Sequence, residues 1–255
     1  MSRCGEVVAK LAKHFIPRSA RALWREMLNR RRLSSEQQVV TEFLAHTGAD
    51  IVLDVGANVG QFGDLVLRTG FVGKIVSFEA IPEVHSALVQ HARKKSDSWI
   101  VAPCAALGSK RGQITLNIAA NTVSSSVLPM LRAHEDAAPQ SIYVNEQIVD
   151  LERLDEHASR FLTPEGKLII KIDTQGYEME VLKGASGLFR QTVGIQVELS
   201  LTPLYEGAPN FTDMISFVKL CGFDLFNIVP GFQDERSGRL LQVDGFFVRS
   251  SGENA

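Results

Sequence analysis

From residue 51 onward, short apolar runs alternate with amphipathic stretches, and this alternation constrains the fold more than any other feature of the chain. Ile51–Val55, Lys74–Phe78, Trp99–Pro103, Leu168–Ile172, Gly194–Leu199, Phe223–Ile228 and Asp244–Arg249 read as strands, with helices near 61–69, 83–95, 177–188 and 211–221. Strands separated by helices pair in parallel through crossovers, so the expected fold is α/β, a mostly parallel sheet with helices on both faces. A chain of 255 residues makes one large domain, or one domain with an appended arm. The stretch 104–150 breaks the rhythm with Gln113–Ile118, the polar Asn121–Ser126 and a loop through Pro129 and Pro139. An insertion that covers a substrate is expected there.

Charge separates the N-terminal end from the rest. Residues 1–35 carry nine Lys or Arg against Glu6 and Glu26, which makes them +7 and leaves −9 on the remainder. The expected organisation is a basic amphipathic helical arm over 1–35 and a single α/β domain over 36–255. The arm's apolar residues, Leu11, Phe15, Leu23 and Leu28 among them, recur at helical spacing from Val7 to Leu33 with a break at Pro17. Such an arm can pack on the domain, or make peripheral contact with an anionic membrane. Ser34-Ser35-Glu36-Gln37 fits a cap for a further helix, Glu36 to His46. A net charge of −2 gives no electrostatic reason for a nucleic-acid partner. Three scattered cysteines, Cys4, Cys104 and Cys221, suggest neither disulfides nor a thiolate metal site, and no signal segment or bilayer span is evident. The expected compartment is the cytoplasm, at the membrane periphery if the arm binds lipid.

Three motifs point to chemistry. The first, Ile51-Val52-Leu53-Asp54-Val55-Gly56-Ala57-Asn58-Val59-Gly60, is a buried strand entering a glycine turn that opens a helix. Gly56 and Gly60 are expected to let the backbone approach a ligand, and the helix start offers free N–H groups. Asn58 stands where a dinucleotide fingerprint needs its second glycine, which argues against a nicotinamide-dependent oxidoreductase. Asp54, at a strand's carboxyl end, is costly there without a cationic or hydroxyl partner. The second motif ends the next strand at Glu79, 19 residues after Gly60, where a carboxylate can accept from both hydroxyls of a ribose. The third is an apolar strand ending in Asp173, a turn through Gly176, and Glu178 at the next helix start. Asp173 and Glu178 are expected to converge with Asp54 and Glu79 on the ligand-binding carboxyl edge. Acids there could hold an amino group, bind a divalent cation or take a proton from a hydroxyl. Glu178 could equally serve only to compensate the helix dipole.

These residues carry a resemblance. Val-Leu-Asp-Val-Gly-Ala-Asn-Val-Gly at 52–60, Phe-Glu-Ala-Ile-Pro at 78–82, Lys-Ile-Asp-Thr-Gln-Gly-Tyr-Glu at 171–178 and Val197-Glu198-Leu199-Ser200 together resemble an FkbM-type S-adenosylmethionine-dependent methyltransferase. Leu204-Tyr205-Glu206-Gly207 and Gln242-Val243-Asp244-Gly245-Phe246-Phe247-Val248-Arg249 extend the likeness, which runs from about Ile51 to Arg249. The resemblance implies a class I methyltransferase fold, Rossmann-like, with seven strands of which the last is antiparallel. It implies methyl transfer to a hydroxyl oxygen of a sugar, glycan or glycosylated natural product. Carried onto this chain, it puts Asp54, Gly56, Asn58 and Gly60 at the methionine end of the cofactor, Glu79 at its ribose and Cys104-Ala105-Ala106 beside its adenine, with Phe62, Ala80 and Asp173 also at the cofactor. One departure is Gln175, where the family more often carries Glu.

An alcohol acceptor must lose a proton. Asp173 is the favoured base or metal ligand, with Glu178 and Glu198 behind it; the metal, if any, is left open. His85, His91, His134 and His157 lie at no strand's carboxyl end and are expected to be surface histidines of helices or loops. A non-catalytic nucleoside-binding module is the remaining alternative.

Overall fold

A computed structural model describes residues 35–251. The chain divides into residues 1–38 and a larger unit, 39–255, which is the one described below. The arm expected over 1–35, its helices and its membrane contact lie outside the described residues, save Ser35 at its boundary, and Ser34 of the expected cap lies outside them too.

The elements in order are α1 (Ser35–Thr47), β1 (Ile51–Val55), α2 (Gln61–Arg68), β2 (Lys74–Phe78), α3 (Pro82–Lys95), β3 (Trp99–Val101), β4 (Ala106–Gly108), β5 (Gly112–Ala119), α4 (Arg132–Ala137), β6 (Tyr143–Arg153), α5 (Leu154–Ala158), β7 (Leu168–Ile172), α6 (Glu178–Gly184), β8 (Thr192–Ser200), α7 (Phe211–Leu220), β9 (Phe223–Pro230) and β10 (Gln242–Arg249). Seven strands form one sheet in the order β3-β2-β1-β7-β8-β10-β9. Its pairs are parallel except those of β10, which runs antiparallel to β8 and to β9. This is the class I methyltransferase sheet that the resemblance implies, and all seven expected strands are present.

Strand alternation divides the core between the two faces. Leu53, Val55, Val76, Phe78, Ile170 and Ile172 bury against Leu154, Val181, Leu182, Met214 and Val218, from α5, α6 and α7. Val52, Ile75, Ile169 and Phe246 bury on the other face against Phe43, Val66, Leu88 and Trp99, from α1, α2, α3 and β3. Among the described residues no helix is long and apolar enough to cross a membrane.

The end of β3 differs from expectation. β3 stops at Val101, because Ala102 N–H makes the last ladder bond, to Ser77 O at 2.9 Å, and Pro103 has no N–H to continue it. Ala106, expected beside the adenine, belongs to a second, three-stranded sheet, β4-β6-β5. This small sheet, with α4, is the 104–150 insertion, and its long strand β6 was not expected from the sequence.

Candidate active site

The carboxyl edge of β1 is built around a buried ion pair. Asp54 on β1 and Lys171 on β7 are direct register partners, so their side chains meet on one face of the sheet. Lys171 Nζ lies 3.2 Å from Asp54 Oδ1, 3.8 Å from Asp173 Oδ2 and 3.3 Å from Gly56 O. Burial alone would lower the Lys171 pKa, but the Asp54 and Asp173 carboxylates outweigh it and raise it above the usual lysine value. Ser77 Oγ donates to Asp54 Oδ2 at 3.2 Å and accepts from Trp99 Nε1 at 2.9 Å. Asp54 thus has both the cation and the hydroxyl that its burial demands. Phe62 covers the Lys171 ammonium, 5.5 Å from ring centre to Nζ.

The glycines of the turn serve the chain itself. Gly56 has φ of +73°, and a Cβ there would lie 1.8 Å from Asp173 O. Gly60, at φ of +101°, would put a Cβ 2.9 Å from the Trp99 ring. The place a Cβ would take at each is therefore held by β7's end and by Trp99. Asn58 between them is left-handed too, at φ of +48°, a conformation asparagine tolerates. Its N–H donates to Glu79 Oε2 at 2.8 Å and its Nδ2 to Thr122 Oγ1 at 3.2 Å, which ties the turn to β2's end and to the insertion.

Glu79 is buried, and Oε1 also accepts from Ala80 N (2.9 Å) and Ile81 N (2.8 Å). Burial pushes its carboxyl up while the three N–H groups draw it down. A carboxylate has about four lone-pair sites, so one, on Oε2, stays open. That open acceptor site suits the O–H of a ribose hydroxyl. Nearby, Ala105 is buried and Cys104 Sγ donates to Ala80 O at 3.3 Å; burial pushes that thiol up to about 11, which agrees with a wall residue and not a nucleophile.

At the end of β7 the structure brings two of the three expected catalytic acids together. Gln175, left-handed at φ of +55°, directs Nε2 at both Asp173 Oδ1 (2.7 Å) and Glu198 Oε2 (3.0 Å), and its Oε1 accepts from Tyr205 O–H at 2.7 Å. Gln242 Nε2 adds a second donor to Glu198 Oε2 at 2.6 Å. An amide fits this place because it supplies one N–H to each acid; a glutamate would set a third carboxylate between them. Burial, then the carboxylates of Asp173, Glu178 and Asp244, hold the Glu198 carboxyl well above its usual pKa. The Asp173 side chain keeps 39% of its surface open.

Glu178 is set apart. It is buried at the start of α6, and Oε1 accepts from Thr174 N (2.9 Å), Thr174 Oγ1 (3.3 Å) and Gly176 N (3.0 Å), so it shapes the turn that presents Gln175. Burial raises its pKa to about 7. A folded-state pKa above the unfolded one gives stability that is full below the unfolded value, about 4.3, and lost as pH rises through 7. Glu178→Gln keeps the oxygen acceptor and removes the titration. Its melting temperature relative to the unaltered chain should rise as pH goes from about 5 to 8; a pH-independent difference would contradict the assignment.

Asp173, Gln175, Glu198 and Gln242 line an open cavity of about 260 Å³. The insertion closes it with Asn121, Ser124, Gln140, Ser141 and His134, and Phe232 completes the wall. Among the described residues no group of three or more His, Cys, Asp or Glu is placed to hold a metal ion. The partners of Asp173 and Glu198 are amide N–H groups and, for Asp173 Oδ2, the Lys171 ammonium at 3.8 Å.

The expectation of surface histidines fails for two of the four. His134 and His157 are buried, and His157 Nε2 bonds Pro103 O at 3.0 Å. His85 and His91 are partly exposed, bonded to Ala102 O (2.7 Å) and Asp64 Oδ2 (3.0 Å). Lys171, Tyr205, Gln242 and His134 were all absent from the expected site. A lysine inside an otherwise apolar central strand was the one signal available, since such a charge requires a buried acid.

Residues 54–225 match the Methyltransferase FkbM domain. No curated protein sequence matches the chain. Among solved structures it is similar to the Burkholderia thailandensis 1,6-didemethyltoxoflavin-N1-methyltransferase with bound 1,6-didemethyltoxoflavin and S-adenosylhomocysteine, at 10% identity over 98% of this chain and 92% of that one, with a TM-score of 0.44. It is also similar to the precorrin-6y C5,15-methyltransferase of Geobacter metallireducens, at 12% identity, 84% and 87% coverage and a TM-score of 0.44. The magnesium protoporphyrin IX methyltransferase of Synechocystis, solved with S-adenosylmethionine, shows 12% identity, 84% and 80% coverage and a TM-score of 0.42. None of these likenesses bears on what this chain methylates.

Proposed function

The chain belongs to the FkbM methyltransferase family, and from that premise we propose that this S-adenosylmethionine-dependent methyltransferase modifies a hydroxyl oxygen of a sugar, a glycan terminus or a similarly polyhydroxylated small molecule. The observation that carries the reading is the Asp173–Gln175–Glu198 set facing a polar cavity at the carboxyl edge. At about 260 Å³ the cavity lies just under the ~300–1,000 Å³ of drug-sized sites, a fit for one ring and not for an extended chain. Its lining combines acids, amides, hydroxyls and one aromatic face, partners for groups that both donate and accept.

S-adenosylmethionine supplies a methyl group on a sulfonium sulfur. Glu79 accepts a ribose hydroxyl with the open site on Oε2, and the Asn58 turn, fixed to Glu79, orients the adjoining backbone. Asp173, open to the cavity and held by Gln175 and Lys171, receives the proton of the acceptor hydroxyl as the oxygen attacks. Glu198, whose surroundings favour its protonated form, keeps a second full negative charge away from Asp173. Alignment of acceptor and methyl carbon contributes the larger share, on the order of 7–11 kcal/mol when geometry is near ideal.

Incubating source-cell extract with the enzyme and methyl-labelled S-adenosylmethionine tests the reading. Label should enter a carbohydrate fraction as a base-stable ether, and should still do so in EDTA. Label found only as base-labile ester, or as methyl on nitrogen, carbon or sulfur, would reject a hydroxyl acceptor. In the same system Glu79→Ala should weaken S-adenosylmethionine binding by about 1.5–3 kcal/mol, the scale of a charged hydrogen bond. It should also lower the melting temperature, because Asn58, Ala80 and Ile81 N–H lose their acceptor. Unchanged affinity in the folded variant would remove ribose recognition from Glu79.

A further inference from the structure

One buried polar side chain of the cavity carries a ring nitrogen without a hydrogen-bond partner. His134, on α4, is 2% exposed, and its Nδ1 has no hydrogen-bond partner. The ring is wedged edge-on to Tyr205, centroids 5.2 Å apart, and tilted against Phe232 at 5.1 Å. The insertion fixes this position: Leu131 N, at the start of α4, donates to Leu204 O at 2.9 Å, and Met130 bridges to Tyr205. Burial lowers the ring's pKa to about 4, so it is neutral at pH 7 and is no base for an alcohol.

A neutral imidazole has one N–H and one lone pair. An orphaned buried N–H is rarer in folded proteins than an under-used acceptor, so the lone pair belongs on the sealed Nδ1 and the hydrogen on Nε2. With Nδ1 closed in, Nε2 is the nitrogen left to serve the cavity that His134 lines. Asp173 and Glu198, on the same cavity, offer oxygen acceptors. A hydroxyl-bearing ring matches both: one hydroxyl gives up its proton to a carboxylate while a neighbouring oxygen accepts from a fixed donor.

We propose that His134 is a specificity-determining residue of the acceptor subsite, its Nε2–H donating to an oxygen of the bound polyhydroxylated ring and so selecting which hydroxyl reaches Asp173. This rests on the polyhydroxylated acceptor proposed above.

The test uses the full chain uniformly labelled with ¹⁵N, saturated with S-adenosylhomocysteine and titrated with methyl glucoside, methyl mannoside and methyl galactoside. The free protein should show His134 as a single neutral Nε2–H tautomer. At least one glycoside should move its Nε2 resonance saturably, and His134→Phe should weaken that glycoside about tenfold, the scale of one hydrogen bond, with S-adenosylhomocysteine affinity unchanged. An Nδ1–H tautomer overturns the proposal. So does an unmoved Nε2 while the Gln242 or Gln140 side-chain amides shift saturably, since the glycoside is then bound without His134. Unchanged glycoside affinity in His134→Phe overturns it as well. Silence of every cavity residue toward all three probes overturns the acceptor reading itself, and this proposal with it. The tautomer and the shift are read on the unaltered chain, so they decide the matter even if the Phe variant does not fold.

Discussion

Asp173→Asn should cut turnover by about 10²–10⁴, the usual contribution of a positioned general base, while leaving S-adenosylhomocysteine affinity nearly unchanged. The substitution is mild in shape. An asparagine at this position would still offer Oδ1 to Gln175 Nε2, so the bridge to Glu198 and the left-handed turn at Gln175 can persist. What it removes is the capacity to take a proton at that place. The rate is measured at saturating S-adenosylmethionine with any acceptor recovered from extract. Full turnover in a folded Asp173→Asn variant would mean that the acceptor's proton leaves by another route.

The second large effect is on stability. Lys171→Met leaves the fully buried Asp54 carboxylate with the Ser77 hydroxyl and no cation, a loss of about 3–5 kcal/mol for a broken buried pair. In a unit of this size each kcal/mol shifts melting by roughly 2–4 °C, so a fall of roughly 6–20 °C is expected by calorimetry. Asp54→Asn combined with Lys171→Met removes the stranded charge and should recover most of the loss, since replacing both members of a buried pair is often close to neutral. A double variant no better than the single one would show that the melting loss comes from packing around Phe62 and not from charge.

The sheet was legible because each of its seven strands is a compact apolar run with turn residues at its ends. β6 was not, for a physical reason. Its apolar Val144 and Ile148 face outward while Val149 and Leu151 face in, so no face of the sequence alternates cleanly. Of the site, the sequence located the acids but not their partners. Asp54's need for a cation or hydroxyl could be argued from its place at a strand end, yet Lys171 is 117 positions away and only the β1–β7 register puts the two side by side. The glycines were legible as obligatory, and the structure adds a reason that the sequence does not show: their absent Cβ atoms make way for Asp173 O and Trp99. Gln175 stood out as a departure from the family's usual glutamate, but its value as an amide that donates to two acids at once appears only when Asp173 and Glu198 are seen on either side. His134 was read by its position in a loop region, and nothing local signals that the loop folds back over Gln175 and Glu198.

The account's central claim is that the edge formed by Glu79 and the Asn58 turn binds the S-adenosyl cofactor. Titration calorimetry of the full chain with S-adenosylhomocysteine, and separately with NAD, tests it most directly. The account predicts saturable binding of one S-adenosylhomocysteine per chain, weakened by about 1.5–3 kcal/mol in Glu79→Ala, with no heat from NAD. Saturable heat from NAD with none from S-adenosylhomocysteine, or S-adenosylhomocysteine binding indifferent to Glu79, would contradict it.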